Sequence, residues 1–169
     1  MPQESERRHT IAVLVDNEPG VLARVIGLFS GRGYNIESLT VAETDRNAHT
    51  SRVTIVTRGT PQVLAQIEAQ LEKMVSTRHV QDVTKDPNGL QRELALVKVK
   101  GTGHERVEAL RVSDIFRAKV IDTTHESFVF EVTGASSKID RFIELMRPLG
   151  LVEVSRTGVL SIQRGVDVF

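Results

Sequence analysis

The sequence predicts an α+β chain built from two successive βαββαβ units, and three observations carry that reading. Short apolar strands and runs at helical spacing follow one another as strand, helix, strand, strand, helix, strand. The same order returns after Lys85-Asp86-Pro87-Asn88-Gly89, a segment dense in turn residues. The composition, 169 residues with 40% hydrophobic and 26% charged, is that of an ordinary globular protein. This order is the split βαβ, or ferredoxin-like, arrangement, expected here twice in tandem. Residues 1–8 read as a flexible tail, 9–84 as the first domain, 85–90 as a linker and 91–169 as the second domain. Domains of about eighty residues bury a modest core, so pairing with another chain would help them.

In the first unit Ile11, Val13 and Val15 alternate with Ala12 and Leu14, a strand apolar on both faces and therefore central. Val21, Leu22, Val25, Ile26 and Phe29 recur at helical spacing, and Gly31-Arg32-Gly33 ends that helix. Ile36, Leu39 and Val41 suggest the second strand, with a slip in alternation between 36 and 39 that a β-bulge would explain. A polar loop from Glu43 to His49 returns the chain into Val53, Ile55 and Thr57. Thr60-Pro61 starts a second helix with the stripe Leu64, Ile67, Leu71 and Met74. A short strand at Val80–Val83 closes the unit.

In the second unit Leu94–Val99 is a strand and Glu105–Phe116 an irregular helix. Val120-Ile121 and Phe128–Val132 form strands joined by a tight turn at His125-Glu126. Ser136 is placed to cap a helix whose Ile139, Phe142, Ile143 and Met146 share one face. Pro148 and Gly150 stop it, and a last strand covers Leu151–Val154.

Several function classes are disfavoured. Lys+Arg and Asp+Glu are both 22, so no general attraction to nucleic acid or anionic lipid exists. With six Phe, one Tyr and no Trp, stacking platforms for single strands are few. The absence of Cys removes disulfide and thiolate chemistry, and MPQESERRHT has no apolar core of a signal peptide. No apolar run has bilayer-spanning length. A cytoplasmic protein is expected. The histidines His9, His49, His79, His104 and His125 are scattered without metal-ligand spacing. No nucleophile elbow, HExxH or P-loop occurs. Gly101-Thr102-Gly103 with Asp122 superficially matches a dinucleotide fingerprint, but Arg106 stands at the third glycine and a hairpin follows Asp122. A strand-to-helix turn is the plainer role for those glycines, and no catalytic or metal residue is assigned.

The stretch Asn17-Glu18-Pro19-Gly20-Val21-Leu22 is different. Asn17 or Glu18 can cap the helix, and Gly20 leaves the N–H groups of Gly20, Val21 and Leu22 approachable. Such donors at the positive end of a helix dipole suit a carboxylate. The Asn17 side-chain oxygen could accept from an ammonium group, so a small apolar amino acid would match. The same residues would serve equally in an unoccupied turn that needs a cap and a glycine.

The segment Asp16–Leu22, opening the first helix of a βαββαβ unit, resembles the ACT domain, a regulatory amino-acid-binding module. The string Arg24-Val25-Ile26-Gly27-Leu28-Phe29-Ser30-Gly31-Arg32-Gly33-Tyr34-Asn35-Ile36-Glu37-Ser38-Leu39-Thr40-Val41 closely resembles the regulatory small subunits of acetohydroxyacid (acetolactate) synthase. So do Asp114–Asp122, Val154-Ser155-Arg156-Thr157-Gly158 and Gln163-Arg164-Gly165. The resemblance covers almost the whole chain. It implies a non-catalytic subunit that activates a separate catalytic (large) subunit and confers feedback inhibition, usually by valine, in branched-chain amino-acid biosynthesis. Thiamine diphosphate, Mg and FAD are then expected in the catalytic partner and none in this chain. It further implies a homodimer through ACT-domain sheets. The effector site would take Asn17, Gly20 and Val21 from one protomer and Asn35 and Ile36 from the other. A free-standing ACT-type sensor of another enzyme or transcription factor is the alternative.

Overall fold

The computed structural model describes residues 5–45 and 47–166, and these form two compact units. One comprises the residues up to Leu90 together with those from Val159 onward, the other Gln91–Gly158.

The first unit runs β1 (Arg7–Asp16), α1 (Val21–Gly31), β2 (Ile36–Asp45), β3 (Thr50–Gly59), α2 (Pro61–Glu72) and β4 (Thr77–Asp82). Its sheet order is β2-β3-β1-β4, every neighbouring pair antiparallel. The central place of β1 follows from its apolar residues. Ile11, Val13 and Val15 pack with Val25 and Phe29 of α1 and with Ile67 and Leu71 of α2, while Ala12 is buried on the other face. β1 already begins at Arg7, paired with Gly59, within the stretch expected to be a tail. The remainder of that expected tail, residues 1–4, lies outside the described residues.

The expected slip in β2 is present: the register with β3 shifts between Ile36 and Ser38, as a bulge there requires. Thr60 caps α2 by accepting from Val63 N at 3.3 Å, with Pro61 in the first turn. Gly33 takes φ +69°, and its N–H donates to the Ser30 carbonyl at 3.2 Å, ending α1 in the left-handed turn that glycine permits.

The second unit contains β5 (Gly89–Lys100), which enters from the first, then α3 (Gly103–Ile115), β6 (Lys119–Thr123), β7 (Ser127–Gly134), α4 (Ser136–Met146), a 3-10 turn at Arg147–Leu149, and β8 (Leu151–Arg156). The strands run β6-β7-β5-β8. Both sheets therefore place the first and third strands of their unit in the middle and the second at an edge. The core joins Ala95, Val97 and Val99 of β5 to Phe130 of β7 and to Ile139, Phe142 and Met146 of α4. Phe142 meets Phe130 edge-on at 6.0 Å between centroids.

Two capping expectations are corrected. α1 is preceded by Gly20 in the left-handed region, and neither Asn17 nor Glu18 caps it through a side chain. Ala135, not Ser136, stands at the cap of α4, because the Ser136 hydroxyl is turned to Glu93 Oε2 at 2.9 Å. Glu93, 3% exposed, also takes Arg156 Nε at 2.6 Å, and Arg156 reaches Asp140 at 2.7 Å. This network gives the Val154–Gly158 string a structural role in the second unit.

One strand was not foreseen. β9 (Leu160–Gln163) belongs to the first unit. Arg52 Nη1 donates to the Ser161 carbonyl at 2.8 Å, and Gln163 Nε2 donates to Asp86 Oδ2 at 2.8 Å. Val159, just before it, is 1% exposed.

Candidate functional site

Asn17 and Gly20 occupy the loop between β1 and α1, and Val21 is the first residue of α1. The loop is held by its main chain: Asn17 N donates to the His49 carbonyl at 2.7 Å, and Asp16 N to the Ser76 carbonyl at 2.8 Å. The Asn17 side chain is thereby left on an exposed residue. Gly20 has φ +82°, where an L side chain is strained, and nothing lies within 4 Å of where its Cβ would be. The helix start is therefore open to solvent. Val21 N makes a 3.3 Å bond to the Glu18 carbonyl, whereas no main-chain carbonyl among the described residues takes the N–H of Gly20 or Leu22. Unpaired N–H groups at a helix start are the chemistry that receives an anion. Glu18 is turned away from this opening, accepting from Ser76 Oγ at 2.8 Å.

Asn35 and Ile36 stand at the entry to β2. Phe29 and Tyr34 meet edge-on at 6.2 Å, and the Tyr34 hydroxyl donates to Gln66 Oε1 at 3.2 Å, so the approach to β2 is anchored on both helices. Thr57 Oγ1 donates to the Asn35 carbonyl at 2.6 Å. Beyond Ile36, Glu37 is clamped by Arg8, at 2.8 Å, and by Arg58. Its partial burial works against ionisation, yet the two guanidinium groups hold its carboxyl below the ordinary value. Sequence reasoning missed Thr57, Ser76 and the Glu37 clamp, since none has a signature beyond an ordinary strand or loop residue.

Strand register separates the two groups. Asp16 pairs with Thr50 at one end of β3, and Ile36 pairs with Thr57 near the other. Seven residues of strand put about 23 Å between those positions. Within one chain the structure brings Asn17, Gly20 and Val21 together and brings Asn35 and Ile36 together, but it does not bring the two groups to each other.

Elsewhere, Arg106 lies over the Phe128 ring, 3.9 Å from its centroid, and Gly101 N donates to the Glu126 carbonyl at 2.9 Å. The Gly101–Gly103 turn is thus used in packing. Among the described residues no group of three or more His, Cys, Asp or Glu is arranged to hold a metal ion, and no helix is long and apolar enough to cross a membrane.

Comparison with known proteins bears on both units. Residues 11–79 match the family described as the AHAS small subunit-like ACT domain, and residues 92–165 match the small subunit of acetolactate synthase. A probable acetolactate synthase small subunit from Archaeoglobus fulgidus is 47% identical over 158 residues, covering 94% of this chain and 98% of that protein. The acetolactate synthase isozyme 3 small subunit of Escherichia coli is 45% identical, covering 94% and 96%. The crystal structure of the acetolactate synthase small subunit from Thermotoga maritima superposes with a TM-score of 0.83 at 37% identity, covering 95% and 99%. With its fold, both of its halves and almost its full length matched, the chain belongs to the acetolactate synthase small-subunit family.

Proposed function

We propose that this chain is the non-catalytic regulatory subunit of acetolactate synthase, activating a catalytic partner and making it sensitive to valine. The observation that carries the reading is the separation of two half-sites along β3. Asn17, Gly20 and Val21 offer a carboxylate-receiving helix start and an ammonium acceptor. Asn35 and Ile36 offer a second polar group and an apolar wall. About 23 Å apart in one chain by strand rise, they make a pocket only with a second copy.

The edge position of β2 supports that assembly, since an edge strand presents unpaired N–H and C=O groups to another strand. Antiparallel pairing of two β2 edges about a two-fold axis sets the start of one β2 beside the end of the other. That end is in register with Thr50 and, across β3, with Asp16. Two equivalent sites follow from the symmetry. Valine would place its carboxylate on the N–H groups of Gly20 and Leu22, its ammonium on Asn17 and its isopropyl group against Ile36 of the partner.

On this reading, the thiamine diphosphate, Mg and FAD stay with the catalytic subunit, and this chain contributes no cofactor. Inhibition requires valine to favour one state of the complex over another, a coupling of about 1–3 kcal/mol. Calorimetry of the chain with valine, leucine and isoleucine tests the proposal. One valine per protomer, with weaker leucine and isoleucine, is the expected result; no binding of any of the three would overturn the effector site.

A further inference from the structure

The loop bearing Asn17 and Gly20 is tied to the turn after α2. Asp16 N donates to the Ser76 carbonyl at 2.8 Å, the Ser76 hydroxyl donates to Glu18 Oε1 at 2.8 Å, and Glu18 Oε2 lies 3.6 Å from Arg24 Nη2. Ser76 is 2% exposed, so its hydroxyl is sheltered, while the Glu18 side chain that it meets is 48% exposed.

Beyond these contacts runs a groove of about 530 Å³, between the outward face of α1 and the end of α2. Leu28 and Met74, both half-buried, give it an apolar floor, and Val75, 97% exposed, stands at its margin. Arg24, Arg32 and Lys73 give it a cationic rim, and no carboxylate lines it. Arg32 is engaged by the Gln70 side chain at 3.1 Å, not by an acid, and exposed Lys73 has no ion-pair partner among the described residues. In a chain with 22 basic and 22 acidic residues, this is a local excess of positive charge. Gly27, in the middle of α1, leaves the space above its Cα empty, so another chain can approach the helix closely.

We propose that this groove docks an acidic, amphipathic segment of the catalytic chain, and that α1 transmits the effector state to it. The basic rim selects carboxylates and steers the encounter, and the apolar floor supplies the buried centre of the contact. Val21 begins α1 in the candidate effector half-site, while Arg24 and Leu28 of the same helix, and Arg32 just past its end, line the groove. Glu18, shared between Ser76 and Arg24, joins the loop to both walls. An effector that draws on the Gly20 loop therefore acts on the docking surface through one helix and one carboxylate. This inference rests on the small-subunit reading and adds to it the surface that meets the partner.

The test uses the full chain and the catalytic chain of the same organism, with two groove variants. The double variant Arg32→Glu/Lys73→Glu reverses the rim. Gly27→Gln fills the groove without altering any charge and suits a helix better than glycine does. Association is measured by titration at low and moderate salt, and valine binding is measured on each isolated variant. Both variants are expected to associate at least about tenfold more weakly, and the steep loss of affinity with salt is expected for the wild type and Gly27→Gln but not for the charge-reversed double variant. Valine binding to the isolated variants should stay within about twofold, because neither change touches the effector residues.

Equal association by wild type and both variants overturns the groove. Failure of the wild type itself to associate overturns the small-subunit reading along with it. Inorganic pyrophosphate is the control probe: if it binds the wild type and not the double variant while association is unaltered, the groove is a small-anion site and the docking proposal fails.

Discussion

The Thr57 hydroxyl donates to the main-chain carbonyl of Asn35 at 2.6 Å, so the central part of the sheet fixes the point at which β2 begins. Thr57 is fully buried, while Asn35 is exposed. Thr57→Val keeps the shape and removes the donor, which should cost about 1 kcal/mol of stability. Valine affinity should fall as well, since the Asn35 half-site loses its anchor. Denaturant unfolding and calorimetry on the one variant measure both effects. Unchanged affinity would separate this hydrogen bond from the site.

Gly20 at φ +82° allows charge and backbone strain to be told apart. Gly20→Asp adds a carboxylate where the valine carboxylate would sit, and should abolish valine inhibition while leaving activation of the catalytic chain. Gly20→Asn adds a similar volume without charge, on a residue that tolerates the left-handed region. It should retain measurable valine inhibition. Inhibition curves for the reconstituted enzyme distinguish the two, and normal inhibition with Gly20→Asp would mean that the helix start does not receive the ligand.

Glu37 makes stability depend on pH in a defined direction. Its carboxyl lies below the ordinary value because Arg8 and Arg58 outweigh the opposing effect of burial. The folded chain therefore binds fewer protons there than the unfolded chain through the carboxylate range. The stabilisation is complete above the ordinary carboxylate pKa and is lost as pH falls through the lowered folded value. Glu37→Gln should lower Tm at neutral pH, and the gap from wild type should close in acid. A gap that did not change with pH would assign the loss to shape and not to charge.

In the second unit, Arg156→Met would leave Glu93, 3% exposed, with only the Ser136 hydroxyl. Arg156 is itself exposed, so the loss is that of a buried acceptor left short of a partner, about 1–3 kcal/mol. Adding Glu93→Gln to Arg156→Met should recover a large part of that loss. A double-mutant cycle by chemical unfolding measures the coupling, and strictly additive losses would show that the pair is not an energetic unit.

Much of the fold was legible because pattern and position agreed. Ile11, Val13 and Val15 alternate in a strand that is central, and Ile139, Phe142, Ile143 and Met146 share a face that is wholly interior. The missing alternation between Ile36 and Leu39 even located a bulge. Where local signals competed, reading failed. Ser136 is a good cap by propensity, but buried Glu93 claims its hydroxyl. α3 looked irregular because it buries Ala109 and Ser113, small residues that leave little hydrophobic stripe. β9 was invisible for a sharper reason: Ser161 is inward, 7% exposed, while Leu160 and Ile162 are 52% and 60% exposed, the inverse of the usual code.

The candidate site was legible only in part. The Gly20 opening could be argued from glycine and helix-start chemistry, whereas Asn35 and Ile36 carry no chemical signal and entered through resemblance. The ties through Ser76 and Thr57 depend on contacts between residues 58 and 22 positions apart, which no local pattern reports.

The return of β9 to the first unit has a consequence for how the protein is made. Residues from Val159 onward complete a unit whose other strands are all translated by Leu90. A ribosome has synthesised the whole of the intervening unit before the strand that Arg52 and Asp86 await can emerge. The amino-terminal unit is thus the first to begin folding and the last to be closed. A polypeptide interrupted anywhere between Leu90 and Leu160 carries that unit without β9, so the order of synthesis alone delays its closure.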